Sequence, residues 1–246
     1  MAIDLLPEAN SARLLLTMLG GFRLLAGSSA TIVRRPSQRL LAFLALNDGV
    51  FERATVAGRL WPDVPEARAY SNLRAALSRL ERSARRALEA SRLELALAKG
   101  VTVDVRNSRA LARRLLDPHR RPDPFDLGAD SVAALSADLL PAWCEDWVLV
   151  EAEDWRQLRM HALEAVAGHL TKAGRWGEAA SAAQAAVRAE PLRESGHAAL
   201  IRVHLAEGNR SEAVREFAQY RALLRAELDL DPTPRLCALV EGMRIP

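Results

Sequence analysis

A chain of 246 residues, half apolar and 26% charged, is long enough for two modest domains and too rich in apolar positions for the disordered classes. No apolar run approaches the roughly 20 residues of a bilayer-spanning helix, and the start MAIDLLPEANSARLLL carries acids where an export signal needs positive charge, so the chain reads as cytoplasmic with no membrane partner. The net charge of +3 hides an asymmetry: residues 1–110 hold 17 Arg and Lys against 10 Asp and Glu (+7), and residues 111–246 hold 17 against 21 (−4).

In chain order, extended patterns come first, at 14–19, 22–25 and 31–33, with Gly20-Gly21 and Gly27-Ser28-Ser29 as turns. Residues 37–47 follow Pro36 and precede Asp48-Gly49, so they start and stop like a short buried helix. A second helix over 52–60 is apolar at Val56, Ala57 and Leu60 and ends at Trp61-Pro62. Residues 68–86 read as a third helix with two unlike faces. At about 100° per residue, Leu73, Ala76, Leu77, Leu80 and Ala84 form an apolar stripe. The opposite face carries Arg68, Ser71, Ala75, Ser78, Arg79, Arg82 and Arg86, flanked by Asn72, Arg74 and Arg85. Guanidinium forks, hydroxyls and an amide are the groups that reach phosphates and base edges. The same stripe also suits an ordinary solvated helix face.

Three helices joined by short turns, the third basic, match a helix-turn-helix in which the second helix buttresses the reading helix. Strands at 93–97 and 101–105 around Lys99-Gly100 then read as a closing hairpin. Strands, helices and a hairpin make a winged helix with an N-terminal sheet and a C-terminal wing. Phosphate attraction dominates nucleic-acid affinity, so the charge split assigns double-stranded DNA to this half, with a basic patch for acidic protein partners as the alternative.

Beyond residue 104 the pattern is almost entirely helical. A basic amphipathic helix at 107–116 leads into a Pro- and Gly-bearing irregular crossing at 117–130, and 131–136 reads as too short to stand alone. Trp143, Trp147 and Trp155 lie within 13 residues, the concentration of a core or an inter-helix seam. Helices then alternate with Gly-centred turns. Gly174 and Gly208, Glu178 and Glu212, and Ala179 and Ala213 each lie 34 apart, the tetratricopeptide period. Each such repeat is a helical hairpin that needs a neighbour, and the stack presents a concave surface, here read as acidic to mixed.

The stretch RLLAFLALNDGVFERATVAGRLWPDVPEARAYSNLRAALSRLER resembles the response-regulator-type winged helix of SARP-type (antibiotic regulatory protein) bacterial transcriptional activators. LLPAWCEDWVLVEAEDWRQLRMHALEAV and EPLRESGHAALIRVHLAEGNRSEAVREFAQYRALLRAELDLDPTPRL resemble the bacterial transcriptional activator domain that follows it in that family. The resemblance spans nearly the whole chain from about residue 14. The fold expected is mainly α with a small β part: a winged helix-turn-helix over 12–104, then an all-α tetratricopeptide-like domain over 105–246. The resemblance implies binding to promoter direct repeats near the −35 element, contact with RNA polymerase, and control of a biosynthetic or other regulon; a second copy of the chain, as a dimer on DNA, is a further candidate partner. Arg74, Arg79 and Asn72 are expected at base edges and Arg34, Arg35, Arg39, Arg82 and Arg86 at phosphates, with Arg68, Ser71 and Ser78 on the same surface. The sequence departs from the family at the wing, where Arg92 and Lys99 are the only cations, and after Val103-Asp104-Val105, where Ser108 or Arg109 replaces an aromatic.

Cys144 and Cys237 stand in no metal or redox spacing and read as free thiols. The five histidines form no ligand set, and neither a phosphate-binding loop of the GxxxxGK[ST] kind nor a GxSxG elbow occurs. No cofactor and no enzyme activity are expected. The rival reading is a tetratricopeptide adaptor whose winged helix docks protein rather than DNA.

Overall fold

The protein is described by a computed structural model covering residues 13–242. The described residues divide into two compact units, one formed by residues 13–106 with Leu139–Trp143, the other by Asn107–Asp138 with residues 144–242.

In the first unit, β1 (Leu14–Thr17), β2 (Arg23–Ala26), β3 (Ser29–Thr31) and β7 (Val101–Val103) form a sheet of order β3-β2-β1-β7. Leu16 lies opposite Leu24 on antiparallel β2 and opposite Val103 on parallel β7. All three are buried, because alternation places every second side chain on the inner face. This corrects the closing hairpin. Residues 101–103 belong to the N-terminal sheet, and the hairpin is β5 (Leu88–Ala90) with β6 (Glu94–Leu97), flanked by β4 (Val50–Glu52). Its turn is closed by Ser91 Oγ, which accepts from Leu93 N (3.2 Å) and Glu94 N (2.9 Å).

Strand β7 stops where Asp104 opens α5 (Asp104–Leu116). The Asp104 carboxylate accepts from Met18 N and Leu19 N, each at 2.9 Å, and so ties the end of β1 to the start of α5. Burial pushes this carboxyl above the ordinary range, against the lowering effect of the amides it accepts from. The segment Leu139–Trp143 also belongs here. Leu140 N donates to Met18 O at 2.9 Å, and Trp143 stacks on Phe22 with centroids 6.2 Å apart.

Four helices complete the unit: α1 (Arg35–Leu46), α2 (Arg53–Leu60), α3 (Glu66–Ser78) and α4 (Arg82–Arg85). Helix α1 is central, with Leu40, Leu41 and Leu44 buried, and Ser37 Oγ donates to Ala76 O at 2.7 Å to hold it to α3.

The second unit is helical. A 3-10 turn (Pro124–Leu127), capped by Asp123, leads to α6 (Ala129–Ser136), α7 (Asp146–Lys172), α8 (Trp176–Ala189), α9 (Glu194–Glu207), α10 (Arg210–Leu228) and α11 (Pro234–Val240). Helix α6 forms although its sequence reads as too short. Leu135 is buried, and α7 secures the following residues: Trp155 Nε1 donates to Ala137 O at 2.9 Å and Arg159 donates to Ser136 O at 2.7 Å. Trp155 itself is 1% exposed, a core indole. The 34-residue register is physical. Gly174 and Gly208 both take positive φ (72° and 88°), which only glycine adopts without strain, and Ala179 and Ala213 are both fully buried. Ala182, Ala183 and Ala186 are buried too, so small side chains let α8 approach its neighbours.

Arg114 grips Asp126 with two hydrogen bonds, Nη2–Oδ1 at 2.7 Å and Nε–Oδ2 at 3.2 Å, joining α5 to the 3-10 turn. These bonds hold the Asp126 carboxyl below its ordinary 3.8. A lowered carboxyl contributes stability that is fully present above that ordinary value and lost as pH falls through the depressed one. The Arg114 side chain is 34% exposed, so solvent screening limits the contribution to about 1 kcal/mol. Acid titration of α5 amide protection is expected to show this loss in the wild type and not in Asp126→Asn; equal acid sensitivity in both proteins contradicts it.

Candidate nucleic-acid interface

Helix α3 begins after Pro65, with Glu66 in its first turn complementing the helix dipole. Its inner face is Ala69, Leu73 and Ala76, all buried. Its outer face presents Arg68, Ser71, Arg74 and Ser78 to solvent, with half-buried Asn72 on the flank. Arg74 Nη2 lies 3.4 Å from Ser71 Oγ, which lays the guanidinium along the outer surface. Ser71 and Ser78 return their hydroxyls to Ala67 O and Ala75 O, both at 3.1 Å. One helix face thus brings five of the expected residues together.

The third helix, expected over 68–86, does not continue to residue 86. It ends at Ser78; Arg79 caps it, and Leu80 turns inward to 5% exposure. The released carbonyls are covered by Arg85, whose Nη2 approaches Leu77 O (3.5 Å), Ser78 O (3.4 Å) and Leu80 O (3.4 Å). Arg82 and Arg86 therefore stand on α4 and the turn after it, exposed but on a separate element. Leu77, placed by periodicity in the inner stripe, is half-buried and borders a groove of about 310 Å³ with Leu80 and Leu88. Trp61, at the entry to α3, is half-buried as well.

The expected phosphate contacts before α3 differ in their freedom. Arg34 is exposed ahead of α1. The Arg35 guanidinium lies 3.8 Å above the Trp143 ring, a cation–π contact that orders it while its side chain remains exposed. Arg39 is half-buried, donates to Leu60 O and lies 5.8 Å from the Trp61 ring centroid, so it braces α1 against the end of α2. The sequence reading missed two supports. One is the Arg85 cap, for which a basic residue just beyond a helix end was the available signal. The other is Arg53, whose Nε and Nη2 donate to Ser91 O at 3.0 and 2.7 Å and hold the hairpin turn. Arg92, in that turn, and Lys99, just after β6, are both exposed. Among the described residues no cluster of three or more His, Cys, Asp or Glu is arranged to hold a metal ion, and Cys144 and Cys237 are free thiols.

The family model of the bacterial transcriptional activator domain matches residues 103–244. The chain belongs to the bacterial transcriptional activator domain family. The curated relative "Regulatory protein AfsR" of Streptomyces griseus is 30% identical over 254 residues, covering 94% of this chain. The chain spans 24% of the length of that relative. A solved structure of Mycobacterium tuberculosis EmbR, in complex with a low affinity phosphopeptide, superposes with a TM-score of 0.59 over 94% of this chain and 64% of the other, at 20% identity. That likeness carries the fold: a small β-containing N-terminal part followed by an all-α domain. The family match and the 30% identical relative bear out the SARP-type recognition. Among the described residues no helix is long and apolar enough to cross a membrane.

Proposed function

We propose that this protein is a transcriptional activator that binds double-stranded DNA by laying the outer face of α3 in a major groove. Asn72, Arg74 and Arg79 read base edges there, with Arg68, Ser71 and Ser78 beside them. Arg34, Arg82 and Arg86 face phosphates, and Arg35 and Arg39, ordered by Trp143 and by Leu60 and Trp61, support that line. Residues 12–104 serve as the DNA-binding domain and 105–246 as the activator domain, which engages RNA polymerase while two copies occupy promoter direct repeats. The observation that carries this reading is the solvent-facing set of Arg68, Ser71, Arg74 and Ser78 on a helix whose other face is buried in its own domain. Kinship with SARP-type activators supports the promoter and polymerase assignments.

The test is a mobility-shift titration on a duplex selected from a random library. Arg74→Ala is expected to cost about 1–3 kcal/mol on the selected duplex and much less on unrelated DNA, because a base-reading fork is lost. Arg82→Ala is expected to weaken both duplexes alike. If neither substitution changes either affinity, α3 is not the reading element.

A further inference from the structure

The helical unit carries a groove of about 580 Å³ lined by α7, α9 and α11. Two stripes form its length. On α7, Glu164, Gly168, Thr171 and Lys172 recur at helical spacing, and on α9 Ser195, Ala198, Ala199 and Arg202 do the same. Each stripe covers about two turns, roughly 12 Å at 1.5 Å per residue. That is room for about three or four residues of extended chain at 3.3 Å each. The floor is made of small side chains, Gly168, Ala198 and Ala199, with Leu236 of α11. A methyl group built on Gly168 would meet nothing within 4 Å. A backbone can therefore lie close against it.

Charge decides what kind of chain. The two acids at the groove are already engaged: Glu164 accepts from Arg193 Nε at 3.0 Å and Ser195 Oγ at 2.6 Å, and Glu194 accepts from Thr233 N at 2.8 Å and from its hydroxyl. The three cations, Lys172, Arg202 and Arg235, are exposed, and none of them takes part in an ion pair among the described residues. Glu164 is paired with Arg193, whereas Glu194, held by the uncharged Thr233, keeps its charge, so a surface read from composition as acidic to mixed holds a groove where three cations outweigh one carboxylate. We infer that this groove binds an extended peptide segment of a partner protein through acidic side chains, its backbone lying over the Gly168 and Ala198 floor. The length of the channel and its small-residue floor favour a peptide, and the cations select carboxylates. The site lies wholly in the helical unit, so it stands or falls independently of the DNA contacts.

The experiment presents the full-length protein to an array of alanine-based decapeptides carrying Asp or Glu pairs at varied spacings, with Asn, Gln and Lys versions as controls, and follows the best binder by fluorescence anisotropy. Acidic peptides are expected to bind, and Lys172→Glu with Arg202→Glu to weaken binding at least tenfold. Gly168→Leu fills the groove where the fold leaves space and is expected to do the same with unchanged helicity, while Arg210→Glu, away from the groove, leaves binding intact. Failure of every acidic peptide to exceed its neutral control overturns the inference, as does binding that all variants retain. Citrate binding where no acidic peptide binds would make the groove a small-anion site and overturn it equally.

Discussion

Replacing Trp143 by alanine is expected to strip the first unit of about 3–5 kcal/mol, the usual cost of emptying a buried aromatic position. Trp143 is 7% exposed, stacks on Phe22, and carries the Arg35 guanidinium on its face. It also ends the segment whose Leu139 and Leu140, at 2% and 1% exposure, pack into the same unit and whose backbone pairs with Met18 and Leu19. Without the indole, Phe22 and Arg35 lose a common surface. Two units rarely unfold as one transition, so the measurement is amide hydrogen exchange resolved by segment. Protection in β1, β2 and α1 should fall in Trp143→Ala while α8–α10 stay as in the wild type. Unchanged protection in β1 and β2 would show that the segment is an ornament of the first unit rather than part of its core.

That segment also marks where sequence reading stops. Leu139, Leu140 and Trp143 join a sheet more than a hundred residues upstream, and no local pattern announces a contact of that range. A fragment ending near residue 105 would lack part of its own core, so the whole chain is the proper material for binding work. Local signals served well where chain geometry is local. Gly174 and Gly208 announce their turns because the left-handed backbone needs glycine, and Pro36 and Asp48-Gly49 bracket α1 closely. Periodicity misled at two places. Leu73, Ala76, Leu80 and Ala84 keep a continuous helical stripe across the break after Ser78, because Leu80 and Ala84 reach the same core from different elements. The break is supported by the Arg85 guanidinium and by Leu80 N donating to Leu77 O, contacts that hydrophobic periodicity does not encode. At the wing, 93–97 and 101–105 alternate equally well with either partner, and the burial of Val103 against β1 decides for the sheet. Within the interface, Arg39 reads as one more surface cation until the Leu60 carbonyl and the Trp61 ring are seen to hold it.

The central claim is that the basic half meets duplex DNA, and its ionic signature is the most direct test. Each phosphate neutralised releases counterion and steepens the fall of log Kobs with log salt by about 0.9. With Arg34, Arg82 and Arg86 each on one phosphate, the full-length protein should show a slope of about −2.7, roughly a fortyfold loss of affinity between about 50 and 200 mM salt. The helical unit should add nothing to this slope, since the excess of acid over base lies in residues 111–246. Fluorescence titration of a labelled duplex across that salt range, with wild type and an Arg82→Glu Arg86→Glu variant, measures it. The account predicts a steep wild-type slope that the variant flattens by about 2; no salt-dependent affinity for any duplex would contradict it and leave the winged helix as a protein-docking module.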